Sequence, residues 1–173
     1  RYSVKVSLLS IKNVSNVERH LSVFYYIEPV LGDFLDGHEK CVNAQVECSK
    51  VIFSNSFEDA FNEKSVMMTC SGKIEHVCLD KRTFFGNQDE ASPEFLKSNL
   101  RDVIDYRDLI GCITQTIYLS PNDDKELVLL LGQNDQKIVD KYLDRSNCYE
   151  ELKNVKAFFS KEILSLRVRT PDK

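Results

Sequence analysis

The chain has 173 residues, enough for one domain with a true core, and its 42% apolar and 29% charged content excludes wholesale disorder. A formal charge of −4 argues against a bare phosphate-backbone binder, and no apolar run approaches the ~18 residues of a membrane span. Neither nucleic acid nor a membrane is therefore expected as a partner. The six cysteines, at 41, 48, 70, 78, 112 and 148, lack the close CxxC pairs of a structural zinc site. They read as buried free thiols of a reducing compartment, which makes a cytoplasmic location the expectation.

Residues 2–11 alternate and then run apolar, which predicts a strand. After the polar turn "NVSNVERH", the stretch "LSVFYYIEPVLG" reads as a long strand, with Pro29 near a sheet edge or bulge. "GDFLDGHEK" is a loop, residues 41–46 and 50–53 are strand-like, and "NSFEDAFNEK" is a second loop. "SVMMTCS" and "IEHVCLDKRTFF" predict two further strands joined by a tight turn at Ser71-Gly72-Lys73. Ser92 is placed to cap a short helix that has Pro93 at its first position. "CITQTIYLS" and "LVLLLGQ", joined by "PNDDKE", predict a hairpin.

Past Gly132 the period changes. Ile138, Val139, Tyr142 and Leu143 recur at helical spacing from Asp135. Asn147 with Glu150 reads as a capping box for a second helix, whose stripe is Leu152, Val155, Phe158, Phe159 and Ile163. The predicted fold class is mainly β. An antiparallel β-sandwich occupies 1–132, two linker helices follow over 133–165, and residues 166–173 form an extended exit.

Chemistry is harder to place. Glycosidic bond cleavage needs two carboxylates, or one acid with an external nucleophile. Glu28, Asp33, Asp36, Glu39 and Asp80 are the candidates, and spacing pairs none of them. His38 lies between Asp36 and Glu39, a weak metal signal that His20 and His76 do not extend. No nucleophile elbow or glycine-rich phosphate loop is present, so neither a catalytic residue nor a cofactor is assigned. In "DKRTFFGN", Asp80 to Asn87, charge, aromatics and glycine coincide. Two readings stand there: Arg82 clamps a sugar hydroxyl or phosphate, or Phe84 and Phe85 anchor the strand end while Arg82 forms an ion pair.

Several of these stretches together resemble glycoside hydrolase family 94. In "LSVFYYIEPVLGD", Tyr26, Glu28, Val30, Leu31 and Gly32 match a family strand in which a tryptophan usually stands where this chain has Pro29. "DKRTFFGN" keeps Asp80, Phe84 and Gly86 of another family segment, with Arg82 displaced by one position and Asn87 where arginine is common. "GCITQTIYLSPNDDKELVLLLG" is similar to a family strand pair, with Gly111 in place of a proline before Cys112. "LRVRTPD" resembles the phrase just before the family's catalytic barrel.

The resemblance implies a galactose-mutarotase-like supersandwich, incomplete at its N-terminus here, and linker helices leading into an (α/α)6 barrel. It implies a parent enzyme that is an inverting phosphorylase of β-linked oligosaccharides. There a barrel aspartate is the general acid and inorganic phosphate is the co-substrate and nucleophile. On this reading the chain itself is a non-catalytic section whose partners are the barrel, the oligosaccharide and a second copy in a homodimer. Tyr26, His38 and Arg82 are the candidates for the mouth of the substrate site. A free-standing carbohydrate-binding module and a structural assembly domain are the alternatives, the first of which needs solvent-facing aromatics on a sheet face or in a cleft.

Overall fold

The computed structural model describes residues 3–32, 41–56, 64–87, 92–97 and 100–165. Its strands are β1 (Val4–Lys12), β2 (Arg19–Ile27), β3 (Val42–Glu47), β4 (Lys50–Asn55), β5 (Ser65–Cys70), β6 (His76–Asp80), β7 (Leu109–Leu119) and β8 (Asp124–Gln133). Its helices are α1 (Lys81–Phe85), α2 (Gln136–Tyr142) and α3 (Arg145–Ser165), with a 3₁₀ turn at Glu94–Leu96. The strands form a five-stranded sheet, β1-β8-β5-β4-β3, and a three-stranded sheet, β2-β7-β6. Every strand pair in both sheets is antiparallel.

The core lies between the sheets. Val51, Phe53, Met68 and Cys70 of the larger sheet meet Val77, Leu79 and Ile113 of the smaller one. Each sheet also buries its outer face. Ile138 and Tyr142 of α2 and Cys148 of α3 cover Met67, Val128 and Leu130. Phe84 of α1 and Phe95 of the 3₁₀ turn cover Cys78, Ile110 and Cys112. A strand covered on both faces carries apolar residues at consecutive positions rather than alternate ones. β8 is the example: Leu127 and Leu129 face inward while Val128 and Leu130 face α2.

Two expected hairpins are corners instead. β7 and β8 belong to different sheets, and so do β5 and β6. The "PNDDKE" turn and the Ser71–Lys73 turn therefore carry the chain across the sandwich, since residues buried on both faces cannot signal which neighbour a strand takes. Further corrections are local. "KRTFF" is not the continuation of a strand but α1, because the Asp80 carboxylate accepts from Thr83 N at 2.9 Å and starts a helical turn. Pro93, not Ser92, stands at the start of the 3₁₀ turn, and no side chain caps it. α3 begins before Asn147, with Asp144 Oδ1 accepting from Ser146 N at 2.9 Å. Asn147 reaches back instead, donating from Nδ2 to the Lys141 carbonyl at 2.9 Å near the end of α2.

Asn13 fixes two of the sheet-to-sheet corners. Its Nδ2 donates to the carbonyls of Val17, Leu119 and Ser120 at 2.8, 3.1 and 2.9 Å. Its Oδ1 accepts from Ser15 N and Oγ at 3.0 and 2.7 Å, and its own backbone N–H donates to Asp123 O at 2.8 Å. The β1–β2 and β7–β8 connections are thereby held to one side chain.

Candidate functional site

Tyr26 lies on β2, opposite Cys112 of β7, on the outer face of the smaller sheet. Its ring centroid is 4.9 Å from that of Phe84 and 5.9 Å from that of Phe85. Its hydroxyl donates to Glu28 Oε1 at 2.7 Å, and Lys81 Nζ donates to Glu28 Oε2 at 2.8 Å. The Lys81 ammonium and the Tyr26 hydroxyl hold the Glu28 carboxyl below the ordinary carboxylate range. β2 and α1 are thus joined by an aromatic packing and a charged latch, with Glu28 between them.

α1 exists because Asp80 is saturated with donors. Besides Thr83 N, its carboxylate accepts from Thr83 Oγ1 at 2.7 Å and from the backbone N–H groups of Arg107 and Asp108 at 3.0 and 3.4 Å. Burial alone raises the Asp80 carboxyl, and the hydrogen bonds outweigh it and leave it below its usual value. Gly86 closes the helix at φ +62°, where a Cβ would stand 1.9 Å from Glu94 Oε2. Phe84 is buried against Tyr26 and Phe95. Asp80, Phe84 and Gly86 are therefore the residues that build this turn.

Of the three substrate-mouth candidates, Tyr26 and Arg82 belong to this one cluster. Arg82 is exposed on α1 and forms no ion pair with any described residue. His38 lies outside the described residues, as do Asp33, Asp36 and Glu39. Of the candidate carboxylates that are described, Glu28 is latched to Tyr26 and Lys81 and Asp80 caps α1. His20 meets Glu18 at 2.8 Å and His76 meets Asp102 at 3.7 Å. Among the described residues no group of three His, Cys, Asp or Glu could hold a metal ion, and no helix is long and apolar enough to cross a membrane. All six cysteines are free thiols, but only Cys70, Cys78, Cys112 and Cys148 are buried as expected; Cys41 is half-buried and Cys48, in the turn between β3 and β4, is exposed. Burial pushes Cys78 up to about 11 and Cys112 up to about 12, so neither is poised as a nucleophile.

Sequence spacing missed the Glu28–Lys81 latch, which joins residues 53 positions apart. Two surface features were also missed or only half read. A groove of about 590 Å³ runs between β1 and the helices, lined by Val4, Val6, Leu8, Tyr142, Cys148 and Leu152 among others. Beyond it the apolar stripe of α3 is exposed, with Val155 at 38%, Phe159 at 51% and Ile163 at 70%. A second cleft of about 450 Å³ opens at the β7–β8 corner.

Two antiparallel sheets packed face to face, with helices following the last strand, define a mainly β sandwich module with a helical extension. Residues 1–147 match the family model described as "Glycosyl hydrolase 94, supersandwich domain", and the chain belongs to that family. The match covers the sandwich, α2 and the first residues of α3. No curated protein matches the chain. The chain is thus the supersandwich module of a carbohydrate-active enzyme family.

Proposed function

We propose that the chain is the non-catalytic sandwich-and-linker section of an inverting glycoside phosphorylase, and that it docks onto the helical barrel that carries out phosphorolysis of a β-linked oligosaccharide. The observation that carries this reading is α3. The helix has 21 residues, and its first turns are anchored by Cys148 in the core, by Arg145 at 3.7 Å from Glu126, by the Tyr149 hydroxyl on Glu126 and by Glu151 at 3.4 Å from Lys141. Its later turns expose Leu152, Val155, Phe159 and Ile163. An apolar stripe continuous with an apolar groove marks an interaction surface, and family membership supports a barrel as its partner.

In this reading the barrel supplies the acid and inorganic phosphate the nucleophile, which agrees with Glu28 and Asp80 both being committed to structural hydrogen bonds. The exposed Arg82 beside the Tyr26–Glu28–Lys81 latch is the part of the chain suited to meet a sugar hydroxyl or phosphate at the mouth of the site. Titration of the chain against the separately produced barrel, followed by calorimetry, tests the docking. The expected result is binding that Phe159→Asp and Ile163→Asp each weaken by roughly 30-fold or more, the size of an interface hot spot. Unchanged binding by both variants would exclude α3 as the contact.

A further inference from the structure

The cleft at the β7–β8 corner exists because two strands outrun their neighbours. β6 accompanies β7 only to Thr114, which pairs with His76 and whose carbonyl accepts from Glu75 N at 2.9 Å. β5 accompanies β8 only to Leu129. Ser71 then clamps Val128 through Ser71 N to Val128 O at 2.9 Å and Val128 N to Ser71 Oγ at 3.0 Å. The chain crosses from one sheet to the other between Ser71 and Glu75. Past that crossing, no described strand runs beside residues 115–119 or 124–127 on that side.

Strand parity identifies the groups left over. Alternate residues of an antiparallel strand turn their N–H and C=O to the same side. Thr114 turns to β6, so Thr116 and Tyr118 turn that way too, and Gln115, Ile117 and Leu119 turn to β2. By the same rule Glu126 faces the open side of β8, where Asp124 N–H is already taken by Asp123 Oδ1 at 3.0 Å. Among the described residues, the backbone groups of Thr116 and Tyr118 have no partner on the open side. Gln115, which also lines the cleft, has a buried Oε1 with no hydrogen-bond partner.

Proteins blunt an open edge with proline, a bulge, lysine or an inward charge. Gln115-Thr116-Ile117-Tyr118-Leu119 has none of these. We infer that this edge is a strand-acceptor groove, which takes an extended segment of a partner polypeptide alongside β7 in the lane that β6 leaves at His76. The ligand class follows from the pattern. A donor and an acceptor presented together at every second residue are filled completely by another polypeptide strand. Ile117 and Leu127, 3% and 7% exposed, form the floor. On the other face, Thr116 Oγ1 donates to Glu75 at 2.6 Å and Tyr118 is 55% exposed. The added strand therefore carries apolar side chains at alternate positions, turned to the floor, and polar ones between them. The inference is independent of what α3 docks onto.

The test is residue-resolved amide exchange of the 173-residue chain, with and without an eight-residue peptide alternating valine with lysine. A control peptide has the same sequence but is N-methylated at alternate residues. At ten times its Kd, the first peptide is expected to slow exchange at Thr116 and Tyr118 roughly tenfold, and the N-methylated peptide is expected to have no effect. Thr116→Pro removes an open-side donor without touching the β2 ladder and is expected to weaken binding several-fold; the N-methylated control does not depend on that variant folding. Equal protection by both peptides, or none by the first at saturation, overturns the inference. So does protection in the free chain at every dilution, which assigns the lane to another segment of the same chain. Protection that grows with chain concentration alone assigns it to a second copy and overturns it equally.

Discussion

Asn13 and Asp80 are polar side chains 5% and 7% exposed, and both are satisfied entirely by neighbouring donors and acceptors. Asn13 also begins the triplet Asn13-Val14-Ser15, which has the form of a glycan acceptor. Its amide nitrogen is committed to three carbonyls, so the folded chain, passed through a secretory host, is expected to carry no glycan there. Intact mass reads this directly. Asp80→Asn removes the charge from an acceptor of several N–H and O–H donors and is expected to destabilise the fold at pH 7 by about 1–3 kcal/mol. The folded-state pKa of Asp80 is depressed, so its contribution is complete above the unfolded value of about 3.9 and is lost as pH falls through the folded value. Urea unfolding over a pH series should therefore show wild type and variant converging below about pH 4. A difference that stays constant with pH would remove the charge from the explanation.

At the scale of elements, the sequence was most legible where one periodicity ruled. β3 and β4 follow a strict alternation, and α2 and α3 follow their helical spacing. What could not be read was partnership. β8 is apolar at successive positions because α2 covers one face and the smaller sheet the other, and such a run looks the same in a hairpin or at a corner. The resemblance in "DKRTFFGN" rested on Asp80, Phe84 and Gly86, which are an N-cap, a core residue and a positive-φ stop. It was a signal for a turn, and it placed Arg82 on the surface without assigning it a ligand. Gly111 makes the same point at a departure from the family pattern. A Cβ there would stand 2.6 Å from Phe53 Cζ, 2.9 Å from Ile27 Cγ1 and 3.2 Å from Met68 Sδ. Gly111→Ala is expected to cost about 1–3 kcal/mol through overpacking between the sheets, seen as a lower denaturant midpoint with unchanged slope.

For the whole molecule, the sandwich is closed by its own helices on one outer face and by α1 with the 3₁₀ turn on the other. The described surface leaves two places where something further fits: the α3 stripe with its groove, and the open β7 edge. The aromatics in the Tyr26 cluster pack on one another and on the sheet. The proposed reading puts the chemistry outside this chain. Its most direct test is phosphate-dependent release of sugar 1-phosphate from β-linked disaccharides, measured for the chain alone, the barrel alone and the two together. No release is expected from the chain alone, and the pair is expected to show turnover that Phe159→Asp in α3 reduces. Release by the chain alone, abolished by neutralising Glu28 or Asp80, would contradict it.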